Sequence, residues 1–314
     1  MTIEVVEPGA LTSVQDSAGR LAWRHLGVPA GGAADAWSAV LANRLVGNPD
    51  DAAVLELTLV GPTLRLAQAA VVALVGRFDA TVDGLPLPAD TGRSVHAGSV
   101  IRIGTGLDAR GYLALAGGVV VEPVLGSAST DLRTGFGGFK GRALRTGDLV
   151  RTGPASGARP ARWVGARQAG PIRLVAGPHA DWFDPDAMTR SAWRVGVLAD
   201  RAGARLEGAA IPNDSGNEVP SMGLPAGAVQ VPPDGLPIVT LADRPVTGGY
   251  PVPAVVIGAD VGRVARLRTG DELRFTLASL AEARAALQDA RESLGALEPI
   301  DPADDELGWA GSHE

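Results

Sequence analysis

Residues 53–75 read AVLELTLVGPTLRLAQAAVVALV. The stretch holds apolar runs at 53–59, 64–66 and 71–75, set apart by Gly61-Pro62 and a short polar step. Further runs of the same kind follow at 100–103 and 112–116. Short apolar runs with turn residues at close intervals predict strands of a barrel or sandwich rather than alternating βαβ units. The 42 glycines and 23 prolines punctuate such runs along the whole chain, so the expected class is mainly β with a few helices.

Two helices stand out. Residues 35–46, DAWSAVLANRLV, open on Asp35 as N-cap, repeat apolar side chains at Trp37, Val40, Leu41 and Leu45, and meet Gly47. Residues 279–294 open on a capping box, Ser279 with Glu282, and align Leu280, Ala283, Leu287, Ala290 and Leu294 before Gly295. The pentapeptide Leu144-Arg145-Thr146-Gly147-Asp148 returns as Leu267-Arg268-Thr269-Gly270-Asp271, with a weaker third copy around Val95–Val100. Either one turn type is reused, or two related halves each close with it. The stretch 151–170 is rich in Gly, Pro, Ala and Arg without a period. The expected organisation is an N-terminal β domain over 1–155, a linker over 156–170, a C-terminal β domain over 171–298 and an acidic tail over 299–314, with interleaving of the halves left open.

Composition excludes several functions. Net charge is −7, without a basic stripe, which argues against nucleic acid, whose binding rests on clustered Lys and Arg. The chain has no cysteine, which removes disulfides and thiolate chemistry. No run approaches the roughly 20 apolar residues of a membrane span, and MTIEVVEPGA lacks the apolar region of a signal peptide. A cytoplasmic protein is expected. Lys140, the only lysine, is followed by glycine, so there is no Walker A loop. No G-x-G-x-x-G opens a helix and no G-x-S-x-G elbow occurs. His25, His96, His179 and His313 lack metal-ligand spacing, and no metal site is expected on the chain.

What remains is an ordered set of polar residues among glycines and prolines: VQDSAGR (14–20), ANRLVGN (42–48), YLALAGG (112–118), GSASTDLRTGFGGFKGRAL (126–144), SMG (221–223), QVPPDGLPI (230–238) and TGGYP (247–251). In this order they resemble the biotin-dependent carboxyltransferase-like family that holds the C subunit of 5-oxoprolinase. That family also includes the subunit 2 domain of allophanate hydrolase and urea amidolyase, and the antagonist of a sporulation-kinase inhibitor.

The resemblance implies tandem cyclophilin-like β-barrel domains. It implies a sister cyclophilin-like subunit (of the 5-oxoprolinase B type or the allophanate hydrolase subunit 1 type), a larger lactam-utilisation subunit, and a small-molecule amide substrate. The implied reaction opens 5-oxo-L-proline to L-glutamate with ATP hydrolysis, with ATP and Mg²⁺ acting at the level of the complex and no biotin on this chain. An allophanate or urea-derived amide, or non-enzymatic antagonism of a kinase inhibitor, are the alternatives.

Opening an unstrained lactam needs charge stabilisation and positioned proton carriers. The carboxylate candidates at family positions are Asp16, Asp131, Glu218 and Asp243. The substrate-binding candidates are Gln15, Arg20, Thr130, Arg201, Arg205, Ser221, Gln230 and Thr247. Each has a structural counterpart: turn caps for Asp16 and Asp131, an ion pair with Glu207 for Arg201 and Arg205, an anion nest for 127–130. The chain departs from the family at Lys140, where Glu is common, at Pro245-Val246, where Gln-Thr is usual, and at Ala202, where Met is usual.

Overall fold

The computed structural model describes residues 1–155, 157–213, 215, 218–301 and 305. The chain divides into two compact units: residues 1–19, 31–166 and 293–314, and residues 20–30 with 167–292.

The first unit is built on a 13-stranded antiparallel sheet. Its spine is Val100–Leu115, 16 residues long, which pairs with Val54–Val60, Thr63–Leu66, Ala70–Val75 and Phe78–Val82. The sequence suggests two short strands here, because Gly104, Gly106 and Gly111 interrupt the apolar pattern. Gly106 and Gly111 instead let the Phe78 ring lie on the strand: a Cβ at Gly111 would sit 2.5 Å from Phe78 Cε2, and one at Gly106 2.6 Å from Phe78 Cε1.

The continuous apolar runs follow from burial on both faces. Val72, Leu74, Leu113, Leu115, Leu55 and Leu57 join Ile3, Val14 and Ile101 in one core cluster. Their alternates Val71, Ala73, Val75, Tyr112 and Ala114 form a second with Leu41 and Leu45 of helix Ala36–Leu45. Asp35 caps that helix as expected, accepting Ser38 N at 3.2 Å and Ser38 Oγ at 2.6 Å.

The second unit carries an eight-stranded sheet in the order Glu272–Leu273, Trp193–Val195, Gly203–Glu207, Ile238–Thr240, Ala228–Gln230, Ala254–Val256, Ile172–Ala176, Phe275–Leu277. All pairs are antiparallel except the last. Helix Gly258–Ala265 is fixed by Asp260, which is fully buried and accepts from Arg173 N, Nε and Nη2 and from Arg263 Nη1, at 2.8–3.0 Å. The mainly β reading with two β units holds.

Three local expectations change. The stretch 156–170 is not a bare linker: Ala161–Trp163 pairs with Thr91–Val95 and with Leu297–Pro299 in the first unit. Residues 20–30 group with the second unit and 293–301 with the first. The acidic tail, apart from 299–301 and Asp305, lies outside the described residues. In helix Leu280–Ser293 the buried side chains are Ala286 and Ala290, while Leu280 is 64% exposed.

The capping box forms as expected. Ser279 N donates to Glu282 Oε2 at 2.7 Å, and Glu282 N donates to Ser279 Oγ at 3.2 Å. Ser279→Ala is expected to lower the urea midpoint by an amount equivalent to about 1 kcal/mol, with an unchanged denaturant slope.

The repeated pentapeptide has a mechanical role. Gly147 N donates to Val5 O while Val5 N donates to Asp148 O. Gly270 and Asp271 hold Val195 in the same way, and Gly98 and Ser99 hold Leu66. All three glycines have φ between +84° and +91°, a region that favours glycine. The turn clamps one residue of a neighbouring strand, twice in the first unit and once in the second.

Candidate functional site

The predicted residues fall into two sets. In the first unit, Gln15 ends strand Leu11–Gln15 and is followed by Asp16, while Thr130 and Asp131 form a two-residue strand paired with Phe136–Gly137. All four are buried. The Asp16 carboxylate accepts four bonds: Ser127 Oγ at 2.6 Å, Ala128 N at 2.7 Å, Ser129 Oγ at 2.9 Å and Gly19 N at 2.7 Å. The nest expected at 127–130 is therefore filled by a carboxylate of the chain itself. Thr130 Oγ1 donates to Val14 O at 3.0 Å, which ties the same loop to strand Leu11–Gln15.

Two acceptors beside this knot have no partner among the described residues. Gln15 Nε2 is engaged with Ser13 Oγ and Thr130 O, which leaves its buried Oε1 unbonded. Asp131 Oδ1 accepts Arg133 N and Thr134 N, each at 3.0 Å, which leaves its buried Oδ2 unbonded. A buried acceptor left unmade costs about 1–3 kcal/mol, and two in adjacent segments make this knot a candidate place for a donor from outside the chain. Gly138 backs directly on Thr130, and with φ of +49° it admits no side chain there. Its loop continues through Phe139 and Lys140 and lines an open groove of about 710 Å³ with Val120, Phe136 and Arg151. Lys140 Nζ lies 5.3 Å from the Phe139 ring centre.

In the second unit the expected ion pairing changes. Arg201 pairs with Asp243 rather than Glu207: Nε to Oδ2 is 2.7 Å and Nη2 to Oδ1 is 2.9 Å. Both side chains are largely buried, and Asp243 N donates to Arg201 O. This two-pronged pair staples 201 to 243. Arg205 is exposed on strand Gly203–Glu207, between core residues Ala204 and Leu206. Glu218 is exposed outside any strand, as is Ser221, while exposed Thr247 pairs with Gly223 in the small sheet Met222–Gly223 with Thr247–Gly248. Arg20 is buried in the segment 20–30, its N–H donating to Ala30 O at 2.6 Å.

Gln230 is the unusual member. It is 6% exposed, and its Nε2 makes no hydrogen bond to any described residue. A Cβ on Gly248 would stand 2.7 Å from Gln230 Nε2 and 2.6 Å from Leu224 Cδ1, so both side chains lie against Gly248. Two arginines absent from the sequence-derived set complete this corner. Arg24 Nη2 donates to Leu224 O at 2.5 Å and Val246 O at 3.3 Å, and Arg244 Nε donates to Leu224 O at 3.0 Å. The available signal was position: Arg24 closely follows VQDSAGR and Arg244 follows Asp243. Burial, followed by repulsion from Arg24, lowers the Arg244 guanidinium to about 10.

Among the described residues, no three His, Asp or Glu side chains gather as a metal site. No helix among them is long and apolar enough to cross a membrane.

Residues 26–277 match the family described as carboxyltransferase domain, subdomain A and B. The chain belongs to this carboxyltransferase-domain family. The C subunit of the 5-oxoprolinase of Escherichia coli (strain K12) is 38% identical over 304 residues, covering 91% of this chain and 94% of that protein. The urea amidolyase of Lachancea kluyveri is 32% identical over 317 residues, covering 90% of this chain but 17% of that protein. The crystal structure of the K. lactis urea amidolyase superposes with a TM-score of 0.87 at 29% identity, over 93% of this chain and 20% of that chain. This carboxyltransferase-domain chain therefore spans at most a fifth of those large enzymes and nearly the full length of the bacterial subunit.

Proposed function

We propose that the chain is a subunit of a cytoplasmic ATP-dependent 5-oxoprolinase, which hydrolyses 5-oxo-L-proline to L-glutamate together with a sister cyclophilin-like subunit and a larger subunit. The observation that carries this reading is the end-to-end match to the C subunit of the E. coli 5-oxoprolinase at 38% identity, over more than nine-tenths of both chains. The chemistry of the sites supports it. Gln15 Oε1 and Asp131 Oδ2 are acceptors waiting for a donor, as a lactam N–H requires. Asp131 is the carboxylate with an oxygen available to hold or move the ring-nitrogen proton when the C–N bond opens. Asp16 and Asp243 act at one remove, fixing the loop at 127–131 and the segment at 201. ATP and Mg²⁺ enter at the level of the complex, where phosphorylation of the lactam oxygen would activate a poor electrophile.

The test is to purify this chain with its sister and large subunits and measure glutamate released from 5-oxo-L-proline with ATP. Turnover is expected from the complete set and none when this chain is omitted. A well-folded complete complex without turnover would reject the reading. The similarity to urea amidolyase over 90% of this chain favours allophanate as the second substrate to try, and ammonia released from it but not from oxoproline would decide for that alternative.

A further inference from the structure

We infer that the second unit contains an oxyanion subsite formed by Arg24 and Arg244 with Gln230 beside them, sized for the carboxylate or phosphate of a small molecule. Both guanidinium groups donate to the single oxygen Leu224 O. The two donating nitrogens, Arg24 Nη2 and Arg244 Nε, are thereby no farther apart than the sum of those two bond lengths. Neither has a carboxylate within ion-pair distance among the described residues; the nearby Asp243 is committed to Arg201. Like charges so placed repel, and burial of Arg244, 6% exposed, strengthens that repulsion.

Most buried arginines meet a carboxylate. Arg244 spends Nε on Leu224 O and Nη1 on Leu241 O and Ala242 O. Its Nη2, and Nε and Nη1 of Arg24, make no hydrogen bond to a described residue. A guanidinium offers five N–H donors in a fixed fork suited to planar oxyanions. The second, independent observation is Gln230. Its Nε2 is buried, makes no hydrogen bond to a described residue, and lies against Gly248, as does the side chain of Leu224, so a neutral donor unpartnered among the described residues sits in the corner where Leu224 O holds the two guanidinium groups. The segments flanking the site, Pro245-Val246 and Gly248-Gly249, bring no acidic side chain.

The subsite rests on the oxoprolinase reading in one respect only: there, the oxyanion is the ring carboxylate of 5-oxo-L-proline. The experiment is calorimetric titration of the full chain with three probes, 5-oxo-L-proline, 2-pyrrolidinone (the same lactam without a carboxylate) and inorganic phosphate. It is repeated on Arg24→Gln, on Arg244→Gln and on the exposed control Arg65→Gln. Arg244 also holds carbonyls in place, so Arg24→Gln is the decisive variant should Arg244→Gln fail to fold.

Oxoproline binding that pyrrolidinone does not reproduce, weakened about 10- to 100-fold in Arg24→Gln and unchanged in Arg65→Gln, is the expected result. Phosphate binding with the same sensitivity, but no oxoproline binding, would uphold the oxyanion subsite and reject oxoproline as its ligand. Absence of binding by both anions, or equal affinity in Arg24→Gln and the unaltered chain, would overturn the subsite.

Discussion

Replacing Gln230 by Met is expected to make the protein more stable and the enzyme worse. Its Nε2 is buried and makes no hydrogen bond to a described residue, and an unmade buried donor costs about 1–3 kcal/mol relative to an apolar side chain of similar shape. Methionine removes that cost with little change in volume, so the urea midpoint should rise by the equivalent of about 1–3 kcal/mol. If the amide is kept for a ligand, glutamate release by the assembled complex should fall about 100-fold, a loss typical of removing one positioned donor. Gly248→Ala should give the activity loss without the gain in stability, because its Cβ would displace the same amide and press on Leu224. Unchanged turnover in both variants would leave Gln230 as a packing residue and remove it from the site.

The second large effect is expected at Asp16. Asp16→Ala removes one acceptor group and strands four donors, the hydroxyls of Ser127 and Ser129 and the N–H groups of Gly19 and Ala128. Broken buried networks of this kind cost about 3–5 kcal/mol. Asp16→Asn should cost less, since one carbonyl oxygen remains. Because the loop 127–130 leads directly into Asp131, activity should fall in parallel with stability across Ala and Asn. A folded, fully stable Asp16→Asn protein without turnover would instead place Asp16 in the chemistry itself. Both variants are read by urea denaturation beside the glutamate assay. An unaltered midpoint in Asp16→Ala would contradict the structural role.

The two effects differ in sign for one reason. The Asp16 carboxylate is met by four donors of its own chain, and the Gln230 Nε2 has no partner among the described residues. Burial alone does not separate them, since each is 6% exposed. The count of satisfied atoms does, and it is the more direct pointer to where a ligand docks. By the same measure Gln15 and Asp131 stay in the candidate site through buried oxygens without a partner among the described residues, whereas Arg201 and Asp243 satisfy each other. Arg24 and Arg244 enter it because, among the described residues, the oxygens they hold are all backbone carbonyls.

Much of the fold was legible in the residues. Short apolar runs at 53–59, 71–75 and 112–116 mark strands, and the caps at Asp35 and Ser279 mark the helix starts. The ordered motifs from VQDSAGR to TGGYP fixed the family. These signals are local, because turn chemistry, capping and side-chain periodicity act within a few residues. Only the tertiary structure decided that 100–115 is one strand with Phe78 laid on its glycines, that 161–163 is sheet rather than linker, and that Ser127 and Ser129 answer Asp16 from more than 110 residues away. A hydrogen bond is completed by whichever atom the folded chain delivers to it, and no periodicity in the sequence records that partner.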